Sequence, residues 1–423
     1  MSARVFVGMS GGVDSSLAAA LLVEAGFEVT GVYMRNWTDD LPGHECPWAG
    51  DLADAEAVAV RLGIDLLVWD FEEAYKREVV DYLVDAYERG LTPNPDVICN
   101  ERIKFGLFAE RALAAGADYV ATGHYARTEL SPTCGSSQPA ALPSMWQKSH
   151  PPTSMWQKSH PPTSMWQKSR FVHWTSEAQS DEQNAISATG WGEPRAEAGA
   201  PTARLFRAAD EHKDQTYFLW RVDGGVLSRV IFPIGGISSK DEVRRMAAER
   251  GLATAEKPDS TGICFVGEVG IRQFLLSKLE RRPGPIRDAE TGEMLGMHEG
   301  AFLFTLGQRK GLDLGGGPAR FVVGTDPAEN IVWVSDDRRH AALRTRSLFL
   351  SDCRWVAGGP PADGRYLVRT RHTRELVEAS LEVGGAGDSA QVVFDSEVEA
   401  VAPGQSVVVY DGMECLGGGV AVR

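Results

Sequence analysis

Between Arg4 and Thr122 the chain alternates two periodicities. Short apolar runs of strand length, RVFVGM (4–9), EVTGVYM (28–34), IDLLVW (64–69) and DYVAT (118–122), are separated by helix-like segments. In 14–25 the apolar residues Leu17, Leu21 and Leu22 recur at helical spacing behind an acidic or hydroxyl cap; 51–62, 72–88 and 102–115 also read as helices, the last closed by Gly116. Strands interleaved with helices of this length predict βαβ units, hence an α/β fold with a doubly wound parallel sheet. From 131 to 200 the pattern breaks. SMWQKSHPPT occurs at 144–153 and 154–163, and SMWQKS restarts at 164–169. A ten-residue period carrying two prolines is too short for a helical or βα repeat unit of about 20–45 residues, and reads as a low-complexity insertion. Folded pattern resumes at Ala203, with a helix predicted over 241–251. From about 285 the chain becomes strand-like: AFLFTL, RFVVGT, NIVWVS, RYLVRTR, ELVEASLEV, AQVVFD and SVVVYD, separated by Gly, Asp and Pro turns as in small barrels or sandwiches. A break near 340 divides two sets of these strands.

Composition narrows the class. The 423 residues suggest two or three domains, and 43% hydrophobic with 24% charged residues is ordinary for a globular chain. No apolar stretch approaches the roughly 18–20 residues of a membrane span. The first residues run directly into a strand without a secretory or organelle leader, so a cytoplasmic location and no membrane are expected. Net charge is −15. A strongly basic protein would point to nucleic acid; this balance does not, although a local basic groove can sit on an acidic body. The insertion carries five acidic and five basic residues, so the −15 belongs to the folded body. Six scattered cysteines do not make a disulfide scaffold, and in a reducing compartment any special cysteine is there for reactivity.

Two signals carry chemistry. Ser10-Gly11-Gly12-Val13-Asp14-Ser15-Ser16 follows a strand and opens a helix, where small residues let backbone amides approach a polyanion and the helix dipole favours it. No Gly-Lys-Ser/Thr closes it and it is not GxGxxG, so it is neither a Walker A loop nor a dinucleotide fingerprint. Hydroxyls with one carboxylate suit a pyrophosphate and its Mg2+. SGGVDSS resembles the loop of the ATP pyrophosphatases (PP-loop, N-type), which cleave ATP to AMP and pyrophosphate while adenylating a carbonyl oxygen. The second signal is a cysteine pair. Cys99 lies in TPNPDVICNERIKF, just before a predicted helix whose dipole would favour a thiolate, and Cys264 lies in the turn-rich DSTGICFVGE. Cys46, Cys134, Cys353 and Cys415 read as ordinary small hydrophobes. Without CxxC or HxxxH spacing, no metal site is expected around Cys46.

In order along the chain, SGGVDSS, TPNPDVICN, ATGHYAR, KDQTYFL, DSTGICF, TLGQRKGL, PGQSVVVY and the final CLGGG resemble the tRNA-specific 2-thiouridylases, over nearly all the sequence outside 131–200. The resemblance implies a PP-loop catalytic domain (1–272, interrupted by the insertion), a small central β-rich domain (273–340) and a C-terminal β-barrel (345–423). It implies transfer of AMP from ATP, with Mg2+, onto the C2 oxygen of the wobble uridine of a tRNA, followed by sulfur transfer. Gly8, Met9, Ser10, Gly11, Gly12, Val13, Asp14, Ser15, Met34 and Gly123 match nucleotide-binding positions. Cys264 would carry a persulfide supplied by a separate sulfur-relay protein, Cys99 would complete the exchange by hydrosulfide release or a transient Cys99–Cys264 disulfide, and Asp96 would act as acid or base. Asn94, Pro95 and Asp96 match the segment that meets the target base. Lys213, Asp214, Gln215, His124, Arg371, His372 and Gln405 match tRNA-contact positions; the family commonly has an aromatic where His372 stands. Arg369, Arg371 and Arg374 would form a phosphate-binding stripe on one strand. A base turned out of the anticodon loop is the expected target. A small-molecule amide-forming PP-loop ligase would need neither cysteine, and a retired RNA-binding protein would not keep SGGVDSS and both cysteines.

Overall fold

The structure, a computed structural model, describes residues 2–38, 48–131, 202–259 and 270–422. The first half follows the predicted alternation: β1 (Arg4–Gly8), α1 (Val13–Glu24), β2 (Glu28–Arg35), α2 (Trp48–Leu62), β3 (Asp65–Asp70), α3 (72–88), α4 (95–114) and β4 (Tyr119–Ala121). A hairpin follows, β5 (Ala126–Leu130) with β6 (Ala203–Arg207), and then β7 (Val230–Ile231). Five strands form one wholly parallel sheet in the order β3-β2-β1-β4-β7. Nine residues of α1 are buried, from Val13 to Leu22, which explains its nearly all-apolar and small-residue sequence: it is enclosed rather than amphipathic. α3 and α4 are each continuous but widen into π-helical turns at Lys76–Val80 and Cys99–Phe108.

The 131–200 insertion falls between the two strands of the β5–β6 hairpin, where the Ser131 N–H donates to the Thr202 carbonyl (2.8 Å). Its two ends are thus neighbours, and a surface hairpin tolerates such an insertion at little structural cost. The insertion itself, from residue 132 on, lies outside the described residues.

Short helices α5 (Gly224–Leu227), α6 (Lys240–Glu249) and α7 (Ile271–Lys278) lead into the β-rich half. β8 (Gly284–Asp288), β9 (Met294–His298), β10 (Phe321–Asp326) and β11 (Ile331–Ser335) make a four-stranded sheet in the order β10-β11-β8-β9. AFLFTL, expected as a strand, is instead a 3-10 turn at Ala301–Leu303. Four consecutive residues there, Ala301 to Phe304, are buried, and Phe302, Leu303 and Phe304 join the core cluster that includes Leu83 of α3. A run buried on every side gives no alternation to separate strand from turn.

The last six strands are β12 (Arg344–Trp355), β13 (Gly364–Arg369), β14 (Val377–Val383), β15 (Ala390–Glu399), β16 (Ser406–Asp411) and β17 (Glu414–Ala421). They run β12-β15-β14-β13-β16-β17, and β12 pairs with β17 to close a barrel. Leu350, Val368, Leu381, Val392, Val407 and Val409 fill it. The β5–β6 hairpin adds to its rim through β17, joining barrel to α/β domain. No helix among the described residues is long and apolar enough to cross a membrane.

Candidate active site

In an open parallel sheet, ligands bind beyond the carboxyl ends of the strands where the connections reverse direction. Here that point lies between β1 and β4. Gly8 ends β1, Met34 lies near the end of β2 and Gly123 follows β4, so the expected nucleotide residues converge there. Gly8 faces Met34 Cε, and a Cβ on Gly123 would lie 2.6 Å from Ser15 N and 2.7 Å from Asp14 C. Gly11 has φ +71°, a conformation that favours glycine, and passes against the Asp51 backbone of α2. Gly12 caps α1 without a side-chain hydrogen bond. Ser15 Oγ donates to the Gly12 carbonyl (3.1 Å) and accepts from Ser10 N–H (3.2 Å). Met9 and Val13 point into the core, so these two positions line the loop with backbone alone.

A charge network closes one side of the loop. Lys240, at the start of α6, donates to both oxygens of Asp14 (2.8 and 2.7 Å) and pairs with Asp259 (2.8 Å). Asp259 also receives Lys213 (3.0 Å) and Arg244 (2.9 Å), while Tyr125 Oη donates to Asp14 (2.8 Å). Burial pulls the Asp259 carboxyl up, but hydrogen bonds from Lys240 and Lys213 outweigh it and hold it at about 2. Burial, then Asp14, pushes the Tyr125 phenol far up, so it stays a donor. Three cations face two carboxylates, a surplus that suits an anion. Asp259 begins DSTGICF; Cys264 itself, like Cys46 and Cys134, lies outside the described residues.

Cys99 is buried inside α4, not ahead of it as expected. The helix already starts at Pro95, because Asn94 Oδ1 accepts from the Asp96 and Val97 amides (3.2 and 3.4 Å) and proline suits the first turn. The fifth helical position is past the turn where the dipole acts most strongly, and Cys99 instead opens the π-helical stretch. Burial pushes the Asp96 carboxyl above the usual carboxylate range, with Lys104 and then His372 pulling it partly back. His124 is enclosed between Phe105 and Phe232, its Nδ1 2.8 Å from Thr122 Oγ1; burial, then Lys104, keeps it neutral. Among the described residues no three His, Cys, Asp or Glu side chains converge into a metal-binding group.

The remaining RNA candidates divide by exposure. Lys213 is partly exposed and Arg371 half-buried. Gln215 Oε1 accepts from Tyr125 N–H (2.9 Å). Asp214 is 1% exposed: its carboxylate accepts from Thr216 Oγ1 (2.9 Å), Ala208 N–H (3.2 Å) and Arg369 (3.0 Å), with Arg207 3.6 Å away. His372 places Nε2 3.0 Å from the Asp214 carbonyl and stacks 4.5 Å from Phe218. Gln405 Nε2 donates to the Thr92 carbonyl (2.9 Å). The expected arginine stripe does not form. Arg369 ends β13 inside the Asp214 pair, Arg371 and Arg374 lie beyond the strand, and Arg374 pairs with Glu399.

Comparison with known proteins fits this geometry. Residues 3–144 and 161–268 match the family described as a tRNA methyl transferase HUP domain, 272–336 a tRNA methyl transferase PRC-barrel domain and 345–421 an aminomethyltransferase beta-barrel domain. The tRNA-specific 2-thiouridylase MnmA of Aromatoleum aromaticum is 37% identical over 99% of this chain and 97% of its own. That of Verminephrobacter eiseniae is 39% identical over 99% and 97%, and that of Bacillus velezensis 38% over 98% and 94%. The chain belongs to the tRNA-specific 2-thiouridylase family. Among solved structures, the NMN synthetase of Francisella tularensis overlaps 28% of this chain and 44% of its own at 20% identity and a TM-score of 0.20, a partial overlap only.

Within this family member, sequence reasoning missed Lys240, Arg244, Asp259 and Tyr125. One signal was available: Asp259 opens DSTGICF and Lys240 opens an amphipathic helix behind the Ser239 cap.

Proposed function

We propose that this chain is an ATP-dependent tRNA 2-thiouridylase, which replaces the C2 oxygen of the wobble uridine with sulfur and forms AMP and pyrophosphate. The observation that carries it is full-length likeness to curated 2-thiouridylases, at 37–39% identity over 98–99% of the chain. The three family matches support a division into a catalytic domain (1–272), a central domain (273–340) and a barrel (345–423).

The residues present fit a nucleotide polyphosphate. The first turn of α1, uncapped by any side chain, offers backbone amides to phosphate oxygens, Gly11 and Gly123 let α2 and the end of β4 close tightly on the loop, and the Lys240–Lys213–Arg244 surplus adds attraction. Gly8 to Ser15 would cradle the phosphates, with Met34 and Gly123 bordering the nucleotide. Mg2+ would supply neutralisation of phosphate charge, and Asp14 is the carboxylate the loop offers it. Uridine O2 is a poor leaving group; attack of O2 on the α-phosphorus expels pyrophosphate and makes that oxygen part of a phosphate ester, which leaves readily as AMP.

A persulfide on Cys264, received from a separate donor protein, supplies the sulfur. In the direct route its terminal sulfur bonds to C2 as AMP departs. The Cys99 thiolate then attacks the Cys264 sulfur, leaving 2-thiouridine and a Cys99–Cys264 disulfide that an external dithiol reduces. In the other route the Cys99 thiolate first attacks the inner sulfur of the Cys264 persulfide, forming the same disulfide and expelling hydrosulfide, which then attacks C2 as AMP departs. Asp96, with its raised pKa, is poised to take or give a proton at the base. Asn94, Pro95 and Asp96 would meet the flipped uridine, and Lys213 and Arg371 would offer charge to the RNA. Asp214, closed to solvent, would act through the Ala208 and Thr216 backbone it holds, and His124 through its bond to the Thr122 hydroxyl. A tRNA substrate and thiol chemistry suit the cytoplasm.

The test is nucleoside mass analysis of unmodified tRNA after incubation with the protein, Mg-ATP and a sulfide or persulfide source. Sulfur-for-oxygen exchange on uridine, lost in Cys99→Ser and Cys264→Ser, is the expected result. AMP and pyrophosphate without thiolated uridine would keep ATP cleavage and overturn the tRNA assignment in favour of a small-molecule acceptor.

A further inference from the structure

Thr92, two residues before the cap of α4, is tied to three regions at once. Its N–H donates to the Pro403 carbonyl of the barrel (2.8 Å), and its carbonyl accepts from Gln405 Nε2, also of the barrel (2.9 Å). Its Oγ1 lies 3.2 Å from Thr305 Oγ1 of the central domain. Gly404, at φ +91°, lets the barrel loop come this close: a Cβ there would stand 2.9 Å from Thr92 N and 3.0 Å from Leu91 Cβ. Beside the junction lies a cavity of about 220 Å3 bordered by Gly90, Thr92, Thr305, Thr325 and Pro403. The polar contacts of Thr92 thus border a cleft between the domains. Beyond Thr92 the chain runs Pro93-Asn94-Pro95 into α4. Two prolines with fixed φ and a cap on Asn94 leave few soft dihedrals between Thr92 and the turn that presents Asp96 and Cys99.

We propose that Thr92 is the positioning residue through which the barrel and the central domain set the start of α4, and that Gln405 acts by holding the Thr92 carbonyl rather than by touching RNA. The catalytic consequence rests on the sulfur-transfer reading above; the mechanical link does not. It gives the barrel a direct purchase on the cysteine helix more than 300 residues away in sequence.

The test uses the full-length protein and three substitutions: Thr92→Val and Thr305→Val, near-isosteric and each removing only a hydroxyl, and Gln405→Ala. Iodoacetamide labelling without tRNA, followed peptide by peptide, reads the opening of α4 at Cys99, with the buried Cys353 and Cys415 of the barrel as internal controls. Each variant is expected to label Cys99 about tenfold faster than wild type, the scale of one lost hydrogen bond, with Cys353 and Cys415 unchanged. In thiolation, kcat falls by a similar factor while KM for tRNA stays within about twofold. Unchanged Cys99 labelling together with a raised KM in Gln405→Ala would make Gln405 an RNA contact and overturn the inference. Joint acceleration at all three cysteines would also overturn it, because that is general loosening. If the wild-type protein fails to thiolate tRNA, the functional reading falls and the labelling ratios still decide the mechanical link.

Discussion

Replacing Gly123 with alanine tests whether closeness between β4 and α1 builds the phosphate cradle. The added Cβ would lie 2.6 Å from Ser15 N, 2.7 Å from Asp14 C and 3.0 Å from Asp14 Cβ, whereas ordinary contact begins near 3.4 Å. The strand end and the helix start must therefore part by about 0.8 Å. The obstructing atoms are mostly backbone, β4 is held between β1 and β7, and α1 is enclosed, so no flexible side chain can absorb the shift. Overpacking of this kind costs about 1–3 kcal/mol of stability. A phosphate held at ~2.9 Å from an amide of the loop would recede to ~3.7 Å, beyond hydrogen-bond range. One lost charge-assisted bond of about 2 kcal/mol weakens ATP binding about 30-fold. Calorimetric titration with a non-hydrolysable ATP analogue measures this, and tRNA binding by fluorescence anisotropy serves as the control. The expected outcome is a 30-fold weaker nucleotide with tRNA affinity unchanged within about twofold. A folded Gly123→Ala protein that binds the analogue within about threefold of wild type would refute the reasoning.

Asp214→Ala strands Arg369 and leaves Arg207 with Glu211 as its remaining carboxylate (3.0 Å), in a site where both arginine side chains are 7% exposed, so urea unfolding is expected to show a loss of about 3–5 kcal/mol; a loss below about 1 kcal/mol would mean the triad is not a structural lock. Asp259 is held at about 2 in the folded protein, against 3.8 ordinarily. A lowered carboxyl contributes stability above its ordinary pKa and loses it as pH falls, so the advantage of wild type over Asp259→Asn is expected to shrink between about pH 4 and pH 2. Because the side chain is a third exposed, that advantage is on the order of 1 kcal/mol. Acid unfolding curves that stay equally spaced across this window would contradict the pairing. Burial, with Asp352 and Asp388 nearby, pushes the Cys353 thiol up to about 12. Cys353→Ala is accordingly expected to leave thiolation rate unchanged, and a fall of tenfold or more would implicate it in sulfur transfer.

The α/β half was legible because its strands and helices differ in period. Leu17, Leu21 and Leu22 repeat as a helix, while RVFVGM and IDLLVW are too short and too apolar to be anything but buried strands in that setting. The strand-to-helix turn of SGGVDSS was legible for a related reason: it is local, lying within seven adjacent residues. Legibility failed where a residue's task depends on a distant partner. The start of α4 was placed late because the Asn94 cap counts for more than the polar stretch that follows it. AFLFTL was misread because burial from all sides erases the alternation that marks a strand. The arginines 369, 371 and 374 looked like one stripe by spacing, yet the first is consumed by Asp214.

That last case states the general limit. Asp214 and Arg369 are 155 positions apart, Asp14 and Lys240 are 226 apart, and Gln405 stands 313 from Thr92. A lone charge in a sequence reads as a solvated face or a ligand contact, because its partner cannot be guessed from spacing. Once the chain folds, those same charges decide whether a carboxylate is available to a phosphate, an RNA or nothing at all. Lys240 shows why this matters for mechanism: it is shared between the loop carboxylate Asp14 and the residue that opens the Cys264 segment, Asp259. Phosphate oxygens held at the loop, as proposed above, would compete with both carboxylates for the same ammonium group. On that reading nucleotide occupancy and the anchoring of Asp259 would be linked through Lys240, a coupling that neither motif contains by itself.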